Sequence, residues 1–134
     1  MPTAREFTVH LEDRPGTIGK FTRALALRGV NILAFQTFET LFRFVVENPT
    51  IAKTAMDSEG ISYTETEVAQ AKLPHRPGEL ARAASRLGEA NININYAYGG
   101  LEAGTNAPVV IFGVAEVVQA VPILDQAAAA AAGT

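Results

Sequence analysis

Two short stretches hold the chain's clearest chemical potential. Leu11-Glu12-Asp13-Arg14-Pro15-Gly16 and Leu73-Pro74-His75-Arg76-Pro77-Gly78 both end in Arg-Pro-Gly, and each runs directly into a helical period. Proline presets φ and glycine accepts a positive φ, so Pro-Gly reads as a turn. A turn that opens a helix presents N–H groups with no partner inside the helix, and the helix dipole favours an anion there. Glycine also lets a ligand approach the backbone closely, because it has no side chain. The carboxylate of a free amino acid suits such a place. Its ammonium needs carbonyl or carboxamide oxygens, which Asn31 and Asn93 can supply from the start of the strand after each helix. Asp13 and His75 occupy equivalent loop positions and could make two sites unequal. Arg14 and Arg76 could contact a ligand carboxylate, and Thr17 and Glu79 follow the two glycines. The competing reading is structural. Arg-Pro-Gly is then only a tight turn, the asparagines follow helix ends by conformational preference, and the arginines are solvated. The residues alone leave both readings open.

Other chemistries are easier to exclude. The 134 residues contain no cysteine, which removes disulfides, thiolate zinc sites, iron–sulfur clusters and cysteine nucleophiles. His10 and His75 are the only histidines, too few for a His-rich metal site. No Ser/His/Asp order or close acid pair stands out, so no catalytic residues are assigned and no enzyme is expected. A net charge of −3 opposes general nucleic-acid binding, which needs clustered Lys and Arg. No apolar run approaches the roughly 18 residues that span a bilayer, and the N-terminus has no apolar signal core. A soluble, cytoplasmic protein without cofactor or metal is expected.

The motif turns belong to a repeat. An offset of 62 pairs the two Arg-Pro-Gly turns, and also Leu11 with Leu73, Leu25 with Leu87, Asn31 with Asn93 and Ile32 with Ile94. The chain therefore reads as a duplicated unit, residues 1–66 and 67–134. Two repeats of this length suggest packed globular halves rather than a solenoid. In the first half, Phe7, Val9 and Leu11 alternate with Glu6, Thr8 and His10, which predicts a strand with the latter three facing away from the core. Ile18, Phe21 and Leu25 follow helical spacing, and Gly29 stops that helix. Asn31–Glu39 and Leu41–Glu47 predict strands joined by a very tight turn at Thr40. Asn48-Pro49 supplies an N-cap and an N1 proline for a short helix to about Ser58. A strand follows over 61–67, and 61–73 can run as one strand serving both halves. The second half predicts strands at 68–73, 91–98 and 109–114, with a Gly-rich loop over 99–108. A helix is expected over 79–90, and another from Val117, broken by Pro122 and fraying along the alanine run 127–132.

The β-α-β-β-α-β order is the ferredoxin-like split βαβ arrangement. With Arg-Pro-Gly after the first strand and Gly29-Val30-Asn31-Ile32 after the first helix, the chain resembles the ACT domain family. The matching stretches of the second half are Arg76-Pro77-Gly78 and Asn91-Ile92-Asn93-Ile94. The resemblance covers nearly the whole chain in two copies, like the small stand-alone tandem ACT proteins of bacteria. It implies an α+β fold of two ferredoxin-like βαββαβ units in tandem; the lack of a linker suggests sheets side by side, and, as a departure from the family pattern, no apolar β-rich segment follows the last helix, so the last strand of the second unit is expected to be missing. It also implies a non-catalytic regulatory module that binds a free amino acid at interfaces between ACT-like domains and serves an enzyme of amino-acid metabolism. The ligand-binding set implied is Asp13, Arg14, Pro15, Gly16, Thr17 and Asn31 in one copy, with His75, Arg76, Pro77, Gly78, Glu79 and Asn93 in the other.

The alternative from another class is a protein–protein interaction module with vestigial pockets. The strand chemistry adds one expectation. Leu33 and Phe35 lie on one face and Ile32 and Ala34 on the other, while Val45 lies opposite Phe42, Phe44 and Val46. Helices can cover only one face, so a second chain is expected on the other, as a homodimer.

Overall fold

The computed structural model describes residues 3–132; the outermost residues of the two expected domains, 1–2 and 133–134, lie outside that range. The elements in order are β1 (Thr3–His10), α1 (Thr17–Ala26), β2 (Ile32–Phe38), β3 (Leu41–Val46), α2 (Pro49–Ser58), β4 (Thr64–Lys72), α3 (Glu79–Glu89), β5 (Tyr96–Leu101), β6 (Pro108–Gly113) and α4 (Val117–Ala132). The chain divides into two compact units, Arg5–Thr66 and the rest of the chain. No helix among the described residues is long and apolar enough to cross a membrane.

In the Arg5–Thr66 unit, β3 pairs antiparallel with both β1 and β2. The register sets Phe7 opposite Phe44 and Val9 opposite Phe42, so one face is dense with aromatic surface. Phe21 and Leu25 of α1 and Ala52, Ala55 and Met56 of α2 close over it. Phe21 meets Phe42 and Phe44 edge-on, each with ring centres 5.7 Å apart, a favoured aromatic geometry. α2 starts as its sequence dictates: Asn48 Oδ1 accepts from the Thr50 and Ile51 amides at 3.1 and 3.3 Å. The tight β2–β3 connection holds Glu39 at φ 56°, as two-residue hairpins demand.

The far face departs from expectation. Glu6, Val45 and Ala34 share a register row, and all three are buried in the single chain. Glu6 therefore does not lie on a solvated polar face with His10. Phe35 and Phe38 of β2, by contrast, stay 56% and 65% exposed.

The second unit repeats the order strand–helix–strand–strand–helix. β6 pairs antiparallel with β4 and β5, and sets Ala69 opposite Phe112 and Tyr96 opposite Gly113. A Cβ on Gly113 would fall on the Tyr96 ring, so the missing side chain there makes room for an aromatic one. Within residues 61–73 there is a single strand, β4, from Thr64 to Lys72. The strand expected from Asn91 starts instead at Tyr96. Asn91 takes φ 62°, and Asn93 Nδ2 donates to Asn95 Oδ1 at 2.8 Å. Such local side-chain bonding competes with a ladder. Gly99 and Gly100 belong to β5 rather than to a long loop, paired with Val110 and Val109. The true turn is short: Glu102 N–H donates to the Ala107 carbonyl at 2.8 Å, and Glu102 Oε1 accepts from Thr105 Oγ1 at 2.7 Å.

Among the described residues no strand follows α4, which runs through Pro122 and the alanine run to Ala132. Ala120, Leu124, Ala127 and Ala131 are buried along one stripe of it. Alanine is the best helix former, and its small side chain lets α4 pack closely. Pro122 removes only one hydrogen bond, the donor to the carbonyl of Val118, a residue 83% exposed.

Two expectations follow. Leu25 and Leu87 are both fully buried, so Leu→Ala at either should cost about 2–5 kcal/mol in denaturant unfolding. Glu102 is held below the usual carboxylate range, first by the Thr105 hydroxyl and then by Lys72. Its folded pKa is depressed, so the contribution is present above the unfolded pKa and lost as pH falls through the folded one. An NMR carboxyl titration should place Glu102 below exposed glutamates, and Thr105→Val should raise it.

Candidate functional site

Each Arg-Pro-Gly turn ends on a left-handed glycine. Gly16 and Gly78 both have φ 88° and ψ −13°, act as N-cap of α1 and α3, and offer no side-chain cap. The hydrogen bonding repeats as well. Arg14 N–H meets the Glu12 carbonyl and Arg76 N–H the Pro74 carbonyl, both at 3.0 Å. Lys20 N–H meets the Gly16 carbonyl at 3.0 Å and Arg82 N–H the Gly78 carbonyl at 2.9 Å. Helix-start amides without a capping side chain are the anion-seeking feature read from the sequence. The reason for glycine is different, however. A Cβ at either position would meet nothing within 4 Å, so φ, not a close approach, requires it.

A cavity lies against each turn. The first, of about 610 Å³, is lined by Arg14, Pro15, Gly16 and Thr17, together with His10, Leu11, Glu12 and Lys20. The second, of about 270 Å³, is lined by His75, Arg76 and Glu79 and by Leu73, Pro74, Leu80, Gly99, Gly100 and Pro108–Val110. Asp13 does not line the first, nor Pro77 or Gly78 the second. The asparagines are not brought to the turns of their own units. The first turn sits beside Thr40, through the Leu11 N–H to Thr40 carbonyl bond at 2.7 Å. Asn31 sits beside Glu47, to whose Oε2 its Nδ2 donates at 3.1 Å. The length of β3, about 20 Å, separates them. Asn93, bonded to Asn95, likewise lines neither cavity.

The equivalent side chains differ sharply in setting. Arg14 pairs only with Glu12, at 3.1 Å, and both are largely exposed. Arg76 is a clamp: its Nε donates to Glu79 Oε1 at 3.1 Å and its Nη2 to the Ala131 carbonyl at 2.9 Å, which ties the turn to the end of α4. Thr17 is matched by Glu79, a carboxylate only 4% exposed. Its Oε1 also lies 3.8 Å from Arg82 Nη2, while its Oε2 is buried with no hydrogen-bond partner. A buried acceptor left so costs about 1–3 kcal/mol. Sequence reasoning missed Lys20, Leu80, Gly99 and Gly100 as lining residues. Lys20 could have been found, one helical turn beyond Gly16. Nothing in the sequence connects Gly99 with Glu79, because a hairpin brings them together.

Residues 6–57 match the ACT domain family. Several solved structures share the fold of nearly the whole chain. A protein of Bacteroides thetaiotaomicron is 23% identical, covering 92% of this chain and 88% of its own, with a TM-score of 0.79. The ligand-free regulatory subunit of aspartate kinase from Thermus thermophilus is 19% identical, covering 94% and 92%, with a TM-score of 0.58. Escherichia coli aspartokinase III, in complex with lysine and aspartate, is 11% identical over 98% of this chain and 32% of its own, with a TM-score of 0.61. No curated protein matches the chain in sequence.

The contrast between the arginines is testable. Arg76→Ala strips a buried carboxylate of its nearest donor and should cost about 1–3 kcal/mol. Arg14→Ala removes an exposed pair and should cost under about 1 kcal/mol. Denaturant midpoints at constant slope measure both.

Proposed function

We propose that the chain is a non-catalytic regulatory module that binds a free amino acid at its two Arg-Pro-Gly turns, with the second unit acting as a further ACT-like domain. The observation that carries this reading is the repeated, uncapped helix start. Gly16 and Gly78 have the same left-handed geometry; Gly16 borders the first cavity, and Arg76 and Glu79 on either side of Gly78 border the second. Unpartnered amides and the helix dipole suit a ligand carboxylate there. Arg14 and Lys20 add positive charge at the first turn. The match to the ACT domain family at residues 6–57 and the fold shared with aspartate kinase regulatory subunits support a regulatory role. The partner in this reading is an enzyme of amino-acid metabolism, to which the module reports ligand level.

A second reading, an association module, is favoured by one observation. Phe35 and Phe38 of β2 are 56% and 65% exposed, and Leu27 is 82% exposed. Rings held so far out in water suit a protein surface, of the partner enzyme or of a second copy.

Thermal unfolding with each proteinogenic amino acid at millimolar concentration tests the first reading. A ligand at 100 times its dissociation constant stabilises the folded state by about 2.7 kcal/mol. For a chain of this size that raises the melting temperature by roughly 5–15 °C. At least one amino acid should produce such a rise. If none does and calorimetry agrees, the association reading replaces it.

A further inference from the structure

The two turns differ in how their charges are balanced. Lys20 and Arg82 are equivalent under the 62-residue offset, and each gives its N–H to the glycine carbonyl one helical turn back. Around the second turn the cations are already engaged. Arg82 Nη2 lies 3.8 Å from Glu79 Oε1, and Arg76 holds both that oxygen and the Ala131 carbonyl. The first turn has the uncharged Thr17 where the second has Glu79. Lys20 is left without a carboxylate and makes no ion pair with any described residue. Helical side chains lean toward the helix N-terminus, so Lys20 leans back toward the turn. It lines the cavity of about 610 Å³ there.

Resting on the reading that the turns bind amino acids, we propose that the first turn selects an acidic α-amino acid, aspartate or glutamate, whose side-chain carboxylate pairs with Lys20. The charge balance of the cavity carries this. Its charged lining is Glu12, Arg14 and Lys20, with His10 neutral in the formal count at pH 7. Glu12 Oε2 pairs with Arg14 Nε at 3.1 Å, which leaves the positive charge of Lys20 uncompensated. The uncapped start of α1 adds a partial positive charge. A ligand with two carboxylates and one ammonium brings the matching net charge. A neutral amino acid would leave Lys20 unbalanced, and a basic one would add to the excess. The α-carboxylate takes the start of α1, and the ammonium takes Glu12, whose Oε1 is not used by Arg14. The side-chain carboxylate then reaches Lys20. The cavity lies within the roughly 300–1,000 Å³ usual for small-ligand pockets, with room for either acid. At the second turn Arg82 is drawn to Glu79, so no such preference arises there.

Calorimetric titration of the full chain with two isosteric pairs tests this: L-aspartate against L-asparagine, and L-glutamate against L-glutamine. In each pair only the side-chain charge differs. At least one acid should bind about fivefold more tightly than its amide, the upper end for a solvent-accessible ion pair. Lys20→Gln removes the charge at an exposed position and leaves the core untouched. It should bring that acid down to the affinity of its amide and leave the amide unchanged. Lys20→Arg should keep the preference. Arg23→Gln makes the same change in net charge at an exposed position of α1 outside the cavity lining, and should also keep it. Equal affinity for acid and amide in the wild type would overturn the assignment. So would a preference that survives Lys20→Gln, or one that falls equally in Arg23→Gln. In those cases amino-acid binding itself still stands. If no amino acid binds the wild type, the broader reading fails and this one with it.

Discussion

The constraint on which the rest of the structure depends is the left-handed glycine between first strand and first helix. At φ 88° it turns the chain back over the sheet within one residue. That turn aims α1 so that Phe21 and Leu25 fall on the Phe42–Phe44 face, and aims α3 so that Ala83 and Leu87 fall on Phe112. The same residue leaves the helix start without a side-chain cap. The uncapped helix start is thus a by-product of the packing solution. A serine or aspartate at that position would cap the amides with its own side chain.

The two copies show how one backbone device supports different chemistry. Their turns share dihedrals and hydrogen bonds, yet the first ends in exposed charge and the second in a buried carboxylate clamped by Arg76. The difference follows from α4. Its alanine stripe packs closely enough for the Ala131 carbonyl to receive Arg76, and Arg76 then holds Glu79 Oε1. Charge that would be solvated in an isolated turn becomes fixed and desolvated, where each hydrogen bond matters more.

What the sequence determined is local and periodic. The strand–helix order, the Asn48-Pro49 helix start, the tight hairpin at Thr40, the single strand within 61–73 and the two Arg-Pro-Gly turns all rest on residues close together in the chain. Dihedral preference, capping and alternation act over that range. The 62-residue offset extended the first turn's geometry to the second. Local signals also misled where local bonding competed. The alternating asparagines and isoleucines of 91–95 read as a strand, but Asn91 takes a left-handed conformation and Asn93 bonds to Asn95.

Burial and convergence were decided only by the tertiary structure. Glu6 alternates as a solvent-facing residue yet is 1% exposed, since alternation separates two faces without saying whether the second is covered. The alanine run looked like a fraying end because alanine has no surface to advertise a partner, yet Ala127 and Ala131 are buried. Asn31 follows the motif helix in sequence, but lies a strand's length from the turn, because a helix that returns over its sheet starts the next strand at the opposite end. Glu79 was visible only as the residue after a glycine. Its orphan oxygen depends on Arg76, Ala131 and a hairpin 20 residues away, and no pattern along the chain encodes where such groups meet.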